Sequence, residues 1–133
     1  MMRSILAFAA GVVLWIVLIS VLDLVLRHLV SGYAVAEPSM SFTLGMLWAR
    51  LAVAAFTSLA AGAIAAWIAP ADPRLPTLVG AALLLAFIPI HVRLWHLFPF
   101  WYHLVFLLTL LPLVVLGGRL TPSRTATRAS CGC

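Results

Sequence analysis

Leu51-Ala52-Val53-Ala54-Ala55-Phe56-Thr57-Ser58-Leu59-Ala60-Ala61-Gly62-Ala63-Ile64-Ala65-Ala66-Trp67-Ile68-Ala69 runs without a charge and stops at Pro70. As a helix rising 1.5 Å per residue it spans close to the ~30 Å of a bilayer's hydrocarbon core. A helix apolar on every side must be covered by protein or by lipid. A strand reading fails, because a barrel strand alternates polar and apolar residues over about ten positions.

Working outward, three more uncharged stretches appear: Ser4 to Leu22, Leu75 to Val92, and Leu97 to Gly118. Hydrocarbon offers no partner for backbone N–H and C=O groups, so such stretches are helical. Extended to their polar limits, the predicted spans cover about 4–26, 42–69, 75–92 and 97–118. The Met1-Met2-Arg3 start resembles a secretory leader, but the run after it reaches Asp23 and Arg27 without a small-x-small cleavage site. It reads as a retained first span.

Composition agrees. Of 133 residues, 65% are hydrophobic and 8% charged, with a mean hydropathy of +1.21, too few polar residues to face water over a domain of this size. The expected fold class is an all-α membrane protein, a four-helix up-down-up-down transmembrane bundle over residues 1–120. Short connections make successive spans antiparallel neighbours. Pro70, Pro73 and Pro76 break the chain between the second and third spans, and Pro76 suits the first turn of the next helix. Gly32, Tyr33, Glu37 and Pro38 lie in the first connection, with Ser39 or Ser41 as the expected N-cap. Pro89 and Pro112 fall inside the third and fourth spans, where they withdraw a backbone donor.

All eight basic residues are arginines, scattered singly at the ends of apolar runs, a pattern that speaks for membrane orientation and against nucleic acid. Arg3, Arg74, Arg119, Arg124 and Arg128 share one side and Arg27 and Arg93 the other, with Arg50 entering from the second side. The positive-inside rule then puts both termini in the cytoplasm. The Ala/Leu/Arg-rich, lysine-free composition suggests a GC-rich bacterial genome and hence an inner membrane. Residues 121–133, rich in Ser, Thr and Arg, are expected to form a disordered cytoplasmic tail.

Arg50 is the most unusual placement, about two turns into the second span. A guanidinium in hydrocarbon costs from about 2.5 to well over 10 kcal/mol, so it needs a partner or a water route. Asp23, near the same end of the preceding span, is the expected partner in an intramembrane ion pair. Pairing of Asp23 with Arg27 four residues on is the alternative. Such a pair serves structure more often than transport, because ion paths place their charges nearer the midplane.

Ala54, Ser58, Gly62 and Ala66 recur at four-residue spacing, which turns only about 40° per step, so they define a helix-packing face that also carries Arg50. Trp95, Trp101, Tyr102 and His103 read as an interfacial aromatic belt. Three histidines fall nearby, but His91 and His96 stand about 140° apart on a helix and Phe98-Pro99 separates both from His103, so no metal or haem site is expected. Cys131 and Cys133 are a weak metal-binding candidate, since two thiolates do not complete a zinc site. No cofactor is expected.

With three acids in the chain, two of them in connections, general acid–base catalysis lacks material and an enzyme is not expected. The expected function is that of an accessory or structural subunit, or an oligomerising bundle. It would contact the lipid bilayer and either itself or another membrane protein, through the small-residue face and the aromatic belt. The alternative is a small dimeric transporter or channel. In size and span count the chain is similar to small multidrug-resistance exporters, but those embed a glutamate in the first span where this chain has only Asp23 at the outer end.

Overall fold

The computed structural model describes residues 1–121, so Cys131, Cys133, Arg124, Arg128 and the predicted tail lie outside the described residues. The described chain is helical throughout its regular structure: α1 (Met2–Leu29), α2 (Tyr33–Ala36), α3 (Leu44–Ile68), α4 (Leu75–Arg93) and α5 (Phe100–Leu120). All but α2 are long and apolar enough to cross a membrane.

The helix limits correct several expectations. Thr43, not Ser39 or Ser41, caps α3; its hydroxyl accepts from the Met46 N–H at 3.4 Å. The extra turn α2 sits in the first connection, entered through Gly32 at φ 80°, a left-handed conformation that costs a glycine nothing. α5 begins at Phe100 and not at residue 97, because Pro99 fixes the extended N-cap geometry and Leu97-Phe98 belong to the turn. α1 extends to Leu29, past residue 26, and closes onto Leu26 through the Val30 N–H. Pro89 and Pro112 lie within α4 and α5, and Pro76 sits in the first turn of α4.

α3 is the hub. Its contacts with α5 and α1 are the most extensive in the molecule, while α1 meets α4 along a much thinner seam. Close approach near Pro73 depends on missing side chains. A Cβ on Gly62 would overlap the Val114 carbonyl, one on Gly117 would overlap the Leu59 carbonyl, and one on Gly118 would strike the Pro76 ring. Gly11 of α1 lies against the Ala61 carbonyl and Val79, with a Cβ there already at 3.1 to 3.2 Å from both. Trp15, Leu51, Ala61, Ala65, Val79, Leu83, Phe106, Leu110 and Val114 continue this contact as one core.

The outward surface is apolar. Leu85 and Leu108 are each 69% exposed and Phe56 58%. An apolar surface of this extent matches hydrocarbon and would aggregate in water.

Candidate functional site

The end of the bundle that carries α2 concentrates nearly all the polar side chains. Asp23 lies in the penultimate turns of α1 and Arg50 in the second turn of α3, and the structure brings them together as expected, Nη1 to Oδ1 at 3.1 Å. A third member was not expected. Gly32 turns the chain back over the end of α1, and α2 drops Tyr33 into full burial between the two charges. Its hydroxyl donates to Asp23 Oδ1 at 2.6 Å and accepts from Arg50 Nη1 at 2.6 Å. Burial first, and the hydrogen bond to Asp23 second, push the Tyr33 phenol above its ordinary pKa, so it remains the donor.

Both pairings foreseen for Asp23 exist. Arg27 Nε stands 3.9 Å from Asp23, but its stronger partner is Glu37 at 2.5 Å, an acid from the connection. Two arginines and two carboxylates therefore form one neutral cluster. The Phe42 ring packs 4.8 Å from the Arg50 guanidinium carbon and stacks on Phe98, closing this end of the bundle. Arg50 Nε is buried without a hydrogen-bond partner.

Phe98-Pro99 does not keep His103 from His91 as expected, because the chain turns there and α4 and α5 form a hairpin that sets His91 opposite His103. Their Nδ1 atoms lie 2.8 Å apart, a hydrogen bond between imidazoles, and both rings are buried. His103 Nε2 has no partner. Among the described residues no group of three or more His, Cys, Asp or Glu side chains gathers at this pair or elsewhere. His96 is exposed.

The four aromatic-belt residues divide. Trp95 is 41% exposed and Trp101 half-buried against exposed Trp48, as a boundary position requires. Tyr102 and His103 instead face the core on the same side of α5 as Phe106 and Leu110. Adjacent residues on a helix point about 100° apart, so within 101–103 Trp101 turns outward while Tyr102 and His103 face the core. The packing face of α3 is similarly rotated. Ala54, Ser58 and Gly62 are buried as expected, but Ala66 is only half-buried and Ala61 and Ala65 complete the contact. Four-residue steps drift around a 3.6-residue helix, and the stripe moves over by one position.

A cavity of about 290 Å³ occupies this end between α1, α3, α4 and α5. Asp23, Arg50 and Tyr102 line one side and His91 another. Trp15 forms its floor, two turns or ~12 Å deeper along α1. The Trp15 Nε1–H donates to Ser58 Oγ at 3.1 Å, and its ring packs 4.8 Å from Phe87. Ser58 in turn donates to the Ala54 carbonyl at 2.7 Å, so the floor's polar atoms are satisfied within the protein. The rim carries exposed Ser20 of α1 and exposed Ile90 of α4, so the opening follows the thin α1–α4 seam.

The fold and site together define a helical bundle, suited in length and hydropathy to a membrane, with a side-opening cavity that joins an ion cluster to a histidine pair. No protein-family model, curated protein or solved structure matches this chain.

Proposed function

We propose that the chain is an integral membrane protein, crossing the bilayer four times in up-down-up-down order, that binds a small molecule in the cavity between α1 and α4. One observation carries this reading: a cavity of about 290 Å³, near the ~300 Å³ lower bound of ligand pockets, combines aromatic walls with a few convergent polar groups. A bundle needing only cohesion would have filled that volume, because an unfilled space forfeits packing energy.

For an accessory subunit the small-residue face of α3 is largely used within the chain, since Gly62 packs on Val114 and Ala61 on Gly11. A partner would have to use a different surface. Transport, alone or as a dimer, is an extension of the binding reading, since the close-packed Pro73 end would have to open to complete a path. With so few carboxylates, a binding protein is favoured over an enzyme.

The arginine distribution supports a bacterial inner membrane with the Pro73 end, near Arg3, Arg74 and Arg119, on the cytoplasmic side. The α2 end and the cavity then belong to the outer half of the bilayer.

Native mass spectrometry of protein extracted in mild detergent tests the proposal. The expected result is a small-molecule adduct on the wild type that is lost when Val53→Trp fills the cavity. Identical adduct-free spectra for both proteins would contradict it, and a defined heteromer would restore the accessory reading.

A further inference from the structure

We propose that the ligand of this cavity is a neutral, lipid-soluble molecule of the quinone class: a planar ring bearing carbonyl acceptors, with an apolar tail leaving between α1 and α4. The inference rests on the binding function proposed above and names the ligand's chemistry.

Polar groups facing the cavity set the first requirement. Asp23, the one carboxylate of the lining, already accepts from Arg50 and Tyr33. The Trp15 N–H is committed to Ser58. What remains are donors. Tyr102, whose hydroxyl can donate, lines the cavity together with Arg50.

His91 is the second donor, by elimination of tautomers. Its Nδ1 faces His103 Nδ1, and the proton between them belongs to one ring or the other. If His91 supplied it, His103 would keep its own proton on Nε2, leaving a buried N–H unpartnered. Orphaned buried N–H groups are the rarer and costlier defect, whereas a bare acceptor is better tolerated. His103 therefore donates, His91 accepts at Nδ1, and His91 carries its proton on Nε2. His91 lines the cavity, so this N–H is available to a ligand.

Charge sets the second requirement. Arg27 and Arg50 are balanced by Asp23 and Glu37 in contact with them, so a ligand carrying net charge would unbalance the cluster in a poorly hydrated site. A fatty-acid carboxylate and a lipophilic cation are both disfavoured, and a neutral acceptor fits.

Shape sets the third. Trp15, Phe87 and Phe106 form a contiguous aromatic wall, with centroids 4.8 Å apart for Trp15–Phe87 and 5.3 Å for Phe87–Phe106. The rings are tilted by 60° and 50° to their neighbours, so a flat ring can stack on one and meet another edge-on. The cavity holds a ring system and not a long chain, so a tail must pass the Ser20 and Ile90 rim into the surrounding apolar phase.

Titration of the purified full chain in detergent, read by tryptophan emission, tests this. Decylubiquinone is the neutral acceptor probe, decanoate the anionic one and tetraphenylphosphonium the cationic one. The expected result is saturable quenching by decylubiquinone that disappears in Trp15→Phe and weakens roughly fivefold in His91→Leu and in Tyr102→Phe, the loss of one neutral hydrogen bond each. Tyr102→Phe removes a single hydroxyl and keeps the test valid if His91→Leu fails to fold. Perturbation of Trp15 by decanoate or tetraphenylphosphonium, with none by decylubiquinone, would overturn the ligand class and leave the binding function standing. Unchanged Trp15 emission with all three probes would overturn the ligand class, and, together with adduct-free native spectra, the binding function as well.

Discussion

The two ends of this bundle are built from opposite materials. Near Pro73, Gly11, Ala61, Gly62, Gly117 and Gly118 let backbones touch, and Pro76 and Val114 fill what is left. At the α2 end the rings of Phe42, Phe98 and Tyr102 fill the interior, and Trp48 and Trp101 stack at 5.4 Å on its outer side. Residue size sets the distance between helix axes, so small residues close one end and large rings spread the other. The spread leaves a cavity, and the charged and imidazole groups gather where the helices part. Close packing supplies the anchor, and polar bonding has to hold the open end.

The sharpest way to break the contrast is Gly62→Leu. The added side chain meets backbone and not a flexible tip, so α3 and α5 must separate. A destabilisation of about 3 kcal/mol or more is expected, read as loss of the folded fraction in detergent–denaturant titration. Next is Arg50→Leu, which strands the half-buried Asp23 carboxylate and the fully buried Tyr33 hydroxyl beside it. We expect about 2 to 3 kcal/mol, with the double variant carrying Asp23→Asn recovering at least ~1 kcal/mol of it in a double-mutant cycle. Strict additivity would show that the pair is not coupled.

Ser58→Ala orphans the Trp15 N–H at the cavity floor and is expected to cost about 1 to 2 kcal/mol with a blue shift of Trp15 emission, measurable against Trp15→Phe. Arg27→Ala is the smallest. Its side chain is 45% exposed, so removing its bonds to Glu37 and Asp23 should change stability by about 0.5 kcal/mol or less. A large loss there would mean that the polar end is held from its rim and not from the buried triad.

The helices were legible because apolar runs near twenty residues have one structural outcome without a water-facing surface. The Asp23–Arg50 contact was legible for a related reason: a guanidinium two turns into an apolar span needs an acid, and only one lay within reach. Tyr33 was not. It sits in a connection, and only the backbone reversal at Gly32 carries it between the charges. A hint existed, since one carboxylate cannot satisfy every donor of an arginine and a nearby tyrosine can serve as relay. The His91–His103 contact was missed because Phe98-Pro99 was read as separating the two, when a turn there folds α5 back along α4 and brings them together. The cavity has no signature in the sequence at all, because it arises from the mismatch between ring-filled and glycine-filled ends of the same helices.

Cysteine accessibility measures the difference between those ends most directly. In a background with Cys131→Ser and Cys133→Ser, single cysteines at Ser20 and Val53 probe the cavity, and cysteines at Ala61 and Ala65 probe the closed core. In proteoliposomes the account predicts that a small membrane-permeant thiol reagent modifies the first two readily and leaves the second two untouched. Equal protection of all four, or labelling of Ala61→Cys and Ala65→Cys ahead of the cavity positions, would contradict it.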